Sequence, residues 1–272
     1  MIMRTKGIGH GRAEGSIVLS HMPISFLGGV DSSRGCVVEK GSDIEGEPFA
    51  GKILSFPHGK GSTVGSYVIY QLKKSGTAPA AILNHKAEAI IATGAILSGI
   101  PMLSGIPTGI LAKGDKAIVN ADNGTLELPF VVGKVVTTVV VRNQGKILIL
   151  KRSSRVSTFR EHWAGVSGSL LPDETAADAA VRELREETGM DKGTKPQMIQ
   201  TEPVYARDGG IIWKVYPFLI DVDSDKVKID WEHDEYKWIL PAELENYQTV
   251  PRLGEVVRSL LKAEAVAARR VC

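Results

Sequence analysis

Three glutamates crowd one short stretch, GSLLPDETAADAAVRELREETGM, from Gly168 to Met190. Glu183 and Glu187 stand four residues apart, with Glu186 between them. On a helix such a like-charge pair costs about 0.2–0.5 kcal/mol. Acids in a last helical turn also face the negative end of the dipole, at about 0.3–1 kcal/mol each. A solvated charged face is the plain alternative, and Arg182 and Arg185 can offset part of the repulsion. A hard divalent cation offsets more, because magnesium and manganese take carboxylate oxygens. The chemistry suggested is therefore metal-assisted hydrolysis.

That chemistry needs a helix to present the acids. Pro172-Asp173 reads as a turn with Asp173 as N-cap, and Gly189 as the stop. The spacing predicts a helix over Glu174 to Thr188, with Ala177, Ala180, Val181, Leu184 and Thr188 as its buried stripe. Glu183, Glu186 and Glu187 fall on the neighbouring arc.

Gly168, Glu174, Arg182-Glu183-Leu184, Glu186-Glu187 and Gly189 keep fixed intervals. This pattern resembles the Nudix box at every fixed position. The resemblance implies a loop–helix–loop holding magnesium or manganese on Glu183, Glu186 and Glu187, which cleaves a diphosphate-containing substrate. It implies catalytic roles for Glu186 and Glu187, and for Arg182 an orienting salt bridge at the substrate site. The flanks agree. Val135 to Ser154 reads as two alternating strands about an Asn143-Gln144-Gly145 turn. Ile211 to Ile220 reads as an apolar central strand, and Asp230 to Leu244 as a late strand leading into a helix. An acid in that late region often serves Nudix enzymes as a further ligand or base. Glu235 is the first candidate here and Glu232 the second.

A second chemical spot is FPHGKGSTVGSYV, where a strand ends, glycines turn the chain and Ser62 precedes a helix. It is no P-loop, since Lys60 is followed by Gly61 and the upstream glycine is missing. It is no dinucleotide fingerprint either, because Val64 stands where glycine is required. Ser62 is then either a simple N-cap or a serine placed at free helix amides, where an anion is favoured. Gly9–Gly15, Pro23–Asp31, the Ser62 loop and GTAPAAIL together resemble the aconitase-X swivel family, the small subunit of archaeal phosphomevalonate dehydratase. The resemblance covers about residues 4–128. It implies a hydro-lyase of isoprenoid biosynthesis that dehydrates mevalonate 5-phosphate to trans-anhydromevalonate 5-phosphate, with Ser62 as proton acceptor. Arg12, Lys60 and Gly61 become candidates for binding substrate phosphate or carboxylate, against the alternative of solvated surface charge.

Such dehydrations use a 4Fe–4S cluster, which needs three or four thiolates. This chain has two cysteines, Cys36 and Cys272. The cluster is therefore expected on a partner large subunit, in a heterodimer. The remaining bounds are simple. The 272 residues favour two domains, 1–130 and 131–272, joined through GTLELPFVVGKVV. Net charge is +2, with no like-charge run, so no nucleic acid is expected. No apolar leader or span appears, and with so few cysteines a cytoplasmic location without membrane is expected. The six histidines show no metal spacing, and all four tryptophans lie in the second half, where one could stack a flat group.

The fold expected is α/β: an aconitase-type swivel domain (β/β/α) fused to a Nudix α/β/α sandwich. A hydro-lyase subunit plus a pyrophosphohydrolase is the leading reading. The alternative is a Nudix enzyme regulated by a non-catalytic swivel module that senses a ligand or binds a partner.

Overall fold

The computed structural model describes residues 1–191, 193 and 196–269. The chain forms two compact units, Met1–Val132 and Gly133–Cys272.

The first unit is built on β1 (Ile2–Arg4), β2 (Lys6–Ile8), β3 (Arg12–Leu19), β4 (Ile53–Phe56), β5 (Ala81–Asn84), β6 (Met102–Ser104), β7 (Lys116–Asn120) and β8 (Thr125–Glu127). They form one sheet in the order β1-β8-β7-β3-β4-β5-β6-β2. Neighbours from β3 to β6 run parallel, and the outer strands pair antiparallel. β4 and β5 are buried along their whole length, with the polar Ser55 and Asn84 buried among their apolar residues. Helices α1 (Gly65–Lys74) and α2 (Ala89–Ser98) cover Leu54, Phe56 and Ile82 with Ile69, Leu72, Ile91 and Ala95. β7 and β8 form a hairpin in which Asn120 pairs with Thr125, so four residues, Ala121 to Gly124, turn the chain. Asn120 Oδ1 accepts the Asp122 and Asn123 amides and closes that turn.

The second unit contains β9 (Val132–Asn143), β10 (Lys146–Arg152), β11 (Trp163–Ala164), β12 (Val166–Ser169), β13 (Met198–Gln200), β14 (Val204–Asp208), β15 (Ile211–Asp221) and β16 (His233–Ile239). Gln144 and Gly145 both take positive φ, 47° and 79°, and make the tight β9–β10 turn. β15 lies in the middle of the sheet, between β9 and β13. The sheet is buried on both faces. Val139 and Val141 pack with Ala180 and Leu184 of α3 (Ala176–Thr188), while Val140 packs toward α4 (Leu253–Arg269). On α4, Leu253, Val256, Val257 and Leu260 form the apolar stripe. This is the α/β/α sandwich expected.

Helix α3 starts later than expected. Thr175 is its N-cap, accepting the Asp178 amide at 3.2 Å. Asp173 instead takes φ +63° in the preceding turn, a geometry Asp tolerates and a cap does not use. Gly189 closes the helix at φ 69°.

Candidate functional site

The acids of α3 are organised around Arg182. Its Nε and Nη2 donate to Glu174 Oε1 and Oε2 at 2.8 and 2.9 Å. Nη1 donates to Glu183 Oε1 at 2.6 Å and Glu186 Oε2 at 3.1 Å. Nη2 also reaches the Ser169 carbonyl at 2.9 Å. A guanidinium has five N–H groups, and these bonds use all five. Arg182 thus orients carboxylates, and all five of its N–H groups have protein partners.

Glu183 and Glu187 are buried and Glu186 is exposed. The Glu183 carboxylate fills the space beside Gly168, where a Cβ would stand 1.8 Å from Oε1. This explains a glycine fifteen residues upstream in the same motif. Burial pushes the Glu183 carboxyl up, against the pull of Arg182. Burial pushes Glu187 well above the usual carboxylate range, and the charges of Glu183, Asp230 and Glu232 add to that. The Ser167 amide opposes it, 3.3 Å from both Glu187 oxygens.

Asp230 and Glu232 come from the segment ahead of β16, and His233 is its first residue. Asp230 Oδ1 accepts the Glu232 amide at 3.1 Å and pairs with His233 Nδ1 at 2.9 Å. His233 Nε2 lies 3.8 Å from Glu187 Oε2, and the imidazole is buried. Burial pulls its pKa down, against Asp230. Sequence reasoning missed this histidine. Its spacing to Asp230 was visible, but its meeting with Glu187 depends on how β16 pairs with β10.

Of the two late acids, Glu232 lines the cavity over α3 and Glu235 does not. Glu235 is exposed and lies 3.3 Å from Lys237 Nζ. The pairing of β16 with β10 shifts register between Lys151 and Arg152, and such a bulge turns the following side chains to a new direction. Of the two candidates, Glu232 is the one that faces the cavity in this structure.

The cavity has a volume of about 340 Å³, within the range of small-molecule sites. Lys134, Arg152 and Arg252 line it beside the acids. Among the described residues, no three acidic, imidazole or thiol groups stand in ligand arrangement, and Arg182 pairs with Glu183 and Glu186. The donor set is nonetheless one of carboxylate oxygens around two buried acids, which suits a hard divalent cation.

In the first unit, Ser62 lies in an exposed turn between the short strand Gly59–Lys60 and α1. It is not the N-cap, a place taken by Val64. Ser62 Oγ accepts the Val64 amide at 3.3 Å, and its carbonyl accepts the Gly65 amide at 2.9 Å. Ser66 and Tyr67 also bond to preceding carbonyls. The expected free amides are therefore occupied by this tight turn. Gly61 adopts φ +96°, where a Cβ would crowd Ser25 Oγ at 3.0 Å. Lys60 is two residues from Ser62 and paired with Glu39 at 2.6 Å. Arg12 is elsewhere. It begins β3 and lines a cavity with Lys73 and Gly76, at the other end of α1 from Ser62. Ten residues of helix separate those ends by about 15 Å. Arg12 and Ser62 are not brought together within this unit. Cys36 is buried, and Cys272 lies outside the described residues.

Comparison with known proteins matches both units. Residues 2–128 match the aconitase X swivel domain and residues 132–260 the NUDIX domain. The phosphomevalonate dehydratase small subunit of Thermococcus gammatolerans is 54% identical over 128 residues, covering 47% of this chain and 98% of the relative. That of Methanosarcina acetivorans is 52% identical over 129 residues, covering 46% and 90%. The chain belongs to the aconitase X swivel family of phosphomevalonate dehydratase small subunits, and it carries a NUDIX domain behind that unit. Among solved structures, holo aconitase X of Thermococcus kodakaraensis is 52% identical, covering 47% of this chain and 98% of that one at a TM-score of 0.46. The MutT protein of Methanosarcina mazei Go1 is 24% identical, covering 49% and 96% at a TM-score of 0.42. No helix among the described residues is long and apolar enough to cross a membrane.

Proposed function

We propose that the second unit hydrolyses a diphosphate with a divalent metal, and that the first unit serves as the small subunit of a phosphomevalonate dehydratase. The observation that supports the hydrolase reading is the convergence of Glu183, Glu187 and Glu232 on one cavity, where burial first and the neighbouring carboxylate charges second push the Glu183 and Glu187 carboxyls up. Glu183, Glu186 and Glu187 would hold magnesium or manganese, with Glu232 across the cavity. Bound there, the ion supplies charge neutralisation and an acidified water. Arg182 keeps Glu183 and Glu186 aimed, and the Ser167 amide keeps Glu187 in place. Lys134, Arg152 and Arg252 offer positive charge to the phosphates. In hydrolysis the water oxygen bonds to phosphorus, its proton passes to a carboxylate, and the bridging oxygen leaves with one phosphate.

The dehydratase reading is supported by near-complete coverage of relatives more than half identical. The iron–sulfur cluster does not fit this chain, whose described thiol is the single buried Cys36. A large subunit supplies it, and that subunit also completes the surroundings of Ser62. Mevalonate 5-phosphate is the substrate of the joint site.

The test has two arms. The whole chain, assayed on a panel of diphosphates, releases phosphate or a monophosphate only with magnesium or manganese. Glu186→Gln and Glu187→Gln lower the rate by orders of magnitude while the circular dichroism spectrum is kept. Full activity in chelator, or in both variants, removes the hydrolase assignment. In the second arm, the chain mixed with a large subunit dehydrates phosphomevalonate. Ser62→Ala costs about 10²–10⁴-fold, as loss of a general base does, with assembly intact. A normal rate in that complex would leave Ser62 as a turn residue only.

A further inference from the structure

The hydrolytic chemistry gives one buried side chain beside the acids no task. His233 ends the turn that brings Glu232 to the cavity. Of the four side chains from Asp230 to His233, only the imidazole is buried. Trp231 is 56% exposed and does not anchor the turn. The ladder between β10 and β16 is interrupted at the same place. Its register slips between Lys151 and Arg152, opposite Glu235 and His233.

Polar bonds hold the turn instead. The His233 amide bonds back to the Asp230 carbonyl at 3.4 Å, and the Ser153 amide donates to the Glu232 carbonyl at 2.7 Å. Arg155 Nη2 donates to the Trp231 carbonyl at 2.6 Å. Asp230 Oδ1 accepts the Glu232 amide at 3.1 Å and stands 2.9 Å from His233 Nδ1. A carboxylate oxygen only accepts, so Nδ1 is the donor. At the other edge of the ring, Nε2 is 3.8 Å from Glu187 Oε2, beyond hydrogen-bond reach. The imidazole is bonded to the turn and only packed beside Glu187.

We propose that His233 is a positioning residue for the hydrolysis: its Nδ1 bond to Asp230 closes the turn and holds Glu232 over the acids of α3. The proposal rests on the hydrolase reading for the reaction and on the turn for the role. A bland alternative is a histidine that only fills the core. The two are separable by chemistry. The amide nitrogen of Asn, like Nδ1 of His, is attached at Cγ, so Asn can keep the bond to Asp230. Gln carries its amide one carbon further out, toward the place of Nε2, and loses that bond.

The test uses the whole chain, with hydrolysis of a diphosphate panel in magnesium and a separate titration with manganese. The Glu232 carboxylate adds negative charge beside the bound ion, so manganese affinity reports its placement without any turnover. Misplacing a group by about 1 Å can cost roughly 10²-fold. His233→Ala and His233→Gln should each lower kcat by at least about tenfold, and His233→Asn should stay within about threefold of wild type. His233→Ala combined with Glu232→Gln should cost no more than Glu232→Gln alone, because both changes remove the same carboxylate from the site. Manganese affinity should follow the same ranking. If the alanine variant fails to fold, the Asn and Gln variants give the comparison, since each keeps an amide in the buried space. Asn as poor as Gln, or effects of His233→Ala and Glu232→Gln that multiply, overturns the proposal and leaves metal-dependent hydrolysis standing. Gln better than Asn also overturns it and moves the role to Glu187. The expected ranking in manganese affinity without turnover of any compound supports the proposal and removes the hydrolase reading. A wild-type chain that binds no manganese removes both.

Discussion

At the scale of single residues, the site is set by what Arg182 and Gly168 leave room for. Arg182 spends every donor on Glu174, Glu183, Glu186 and Ser169. Gly168 lets the Glu183 carboxylate lie where a methyl group would be. Gly168→Ala should therefore displace the buried Glu183 carboxylate from Arg182, cutting metal-dependent hydrolysis by more than about tenfold and lowering stability as well. Unchanged activity and unchanged metal affinity in that variant would show that the Glu183 position is immaterial. The two late acids give a paired test. Glu232→Gln should lower the rate, whereas Glu235→Gln, on the exposed side with Lys237, should leave it within about twofold, as substitutions at exposed positions usually do. The reverse ranking would restore Glu235. The motif residues were legible because their spacing is local to one helix and the loop before it. His233 and Glu232 were harder, since a register shift in β16 decides which side chains face Glu187. The distance between Arg12 and Ser62 was not legible either, because motif order says nothing about which end of a parallel sheet each residue occupies.

At the scale of elements, α4 must stay on the sheet because its first turns wall the cavity. Its apolar stripe does most of this, and Arg142 of β9 adds a polar clamp. The Arg142 guanidinium makes a two-pronged pair with Glu264 of α4, both bonds 2.6 Å. It also holds Asp221 of β15 at 2.6 and 2.9 Å. Glu264, first among its partners, holds the guanidinium well above its usual value, and Arg142 in turn lowers the Glu264 carboxyl. Glu264 titrates lower in the folded chain than in the unfolded one. The pair's contribution is then complete above the unfolded value, about 4.3, and disappears as pH falls through the folded one. Both acids are partly solvated, so the contribution is about 1 kcal/mol. Arg142→Gln should lower the urea midpoint of the second unit at pH 7, and the gap from wild type should shrink as pH falls from about 5 toward 3. Tryptophan fluorescence reports this unit alone, because Trp163, Trp213, Trp231 and Trp238 all lie in it. A gap that stays constant over that pH range would mean that Glu264 is not the partner that matters. The helices and the β9–β10 turn were legible from periodicity and turn chemistry. The start of α3 was not, because Asp173 and Thr175 are both good caps and only the backbone decides between them.

At the scale of the whole molecule, each unit closes its own core. β1 pairs with β8, so the first unit joins its first strand to its last. The Met1 ammonium donates to the Leu128 and Val131 carbonyls at 2.8 and 2.7 Å, which ties the start of the chain to the end of that unit. The second unit has an apolar core on each face of its sheet, both drawn from residues after 133. Neither unit needs a strand from the other. Dividing the chain between Val132 and Gly133 should therefore yield two soluble fragments. The division severs the chain where β9 begins, at residues that are exposed and far from the Val139–Val141 core. Hydrolysis by the second fragment should match that of the whole chain within about threefold, well under the roughly tenfold that a 1.4 kcal/mol loss would give. The first fragment should assemble with a large subunit as the whole chain does. The same experiment addresses the regulatory alternative. A second fragment that folds, binds metal and stays inactive until the first is added back would mean that the swivel unit acts on the hydrolase. Activity that is indifferent to the first fragment would mean that the two units share a chain without sharing a mechanism.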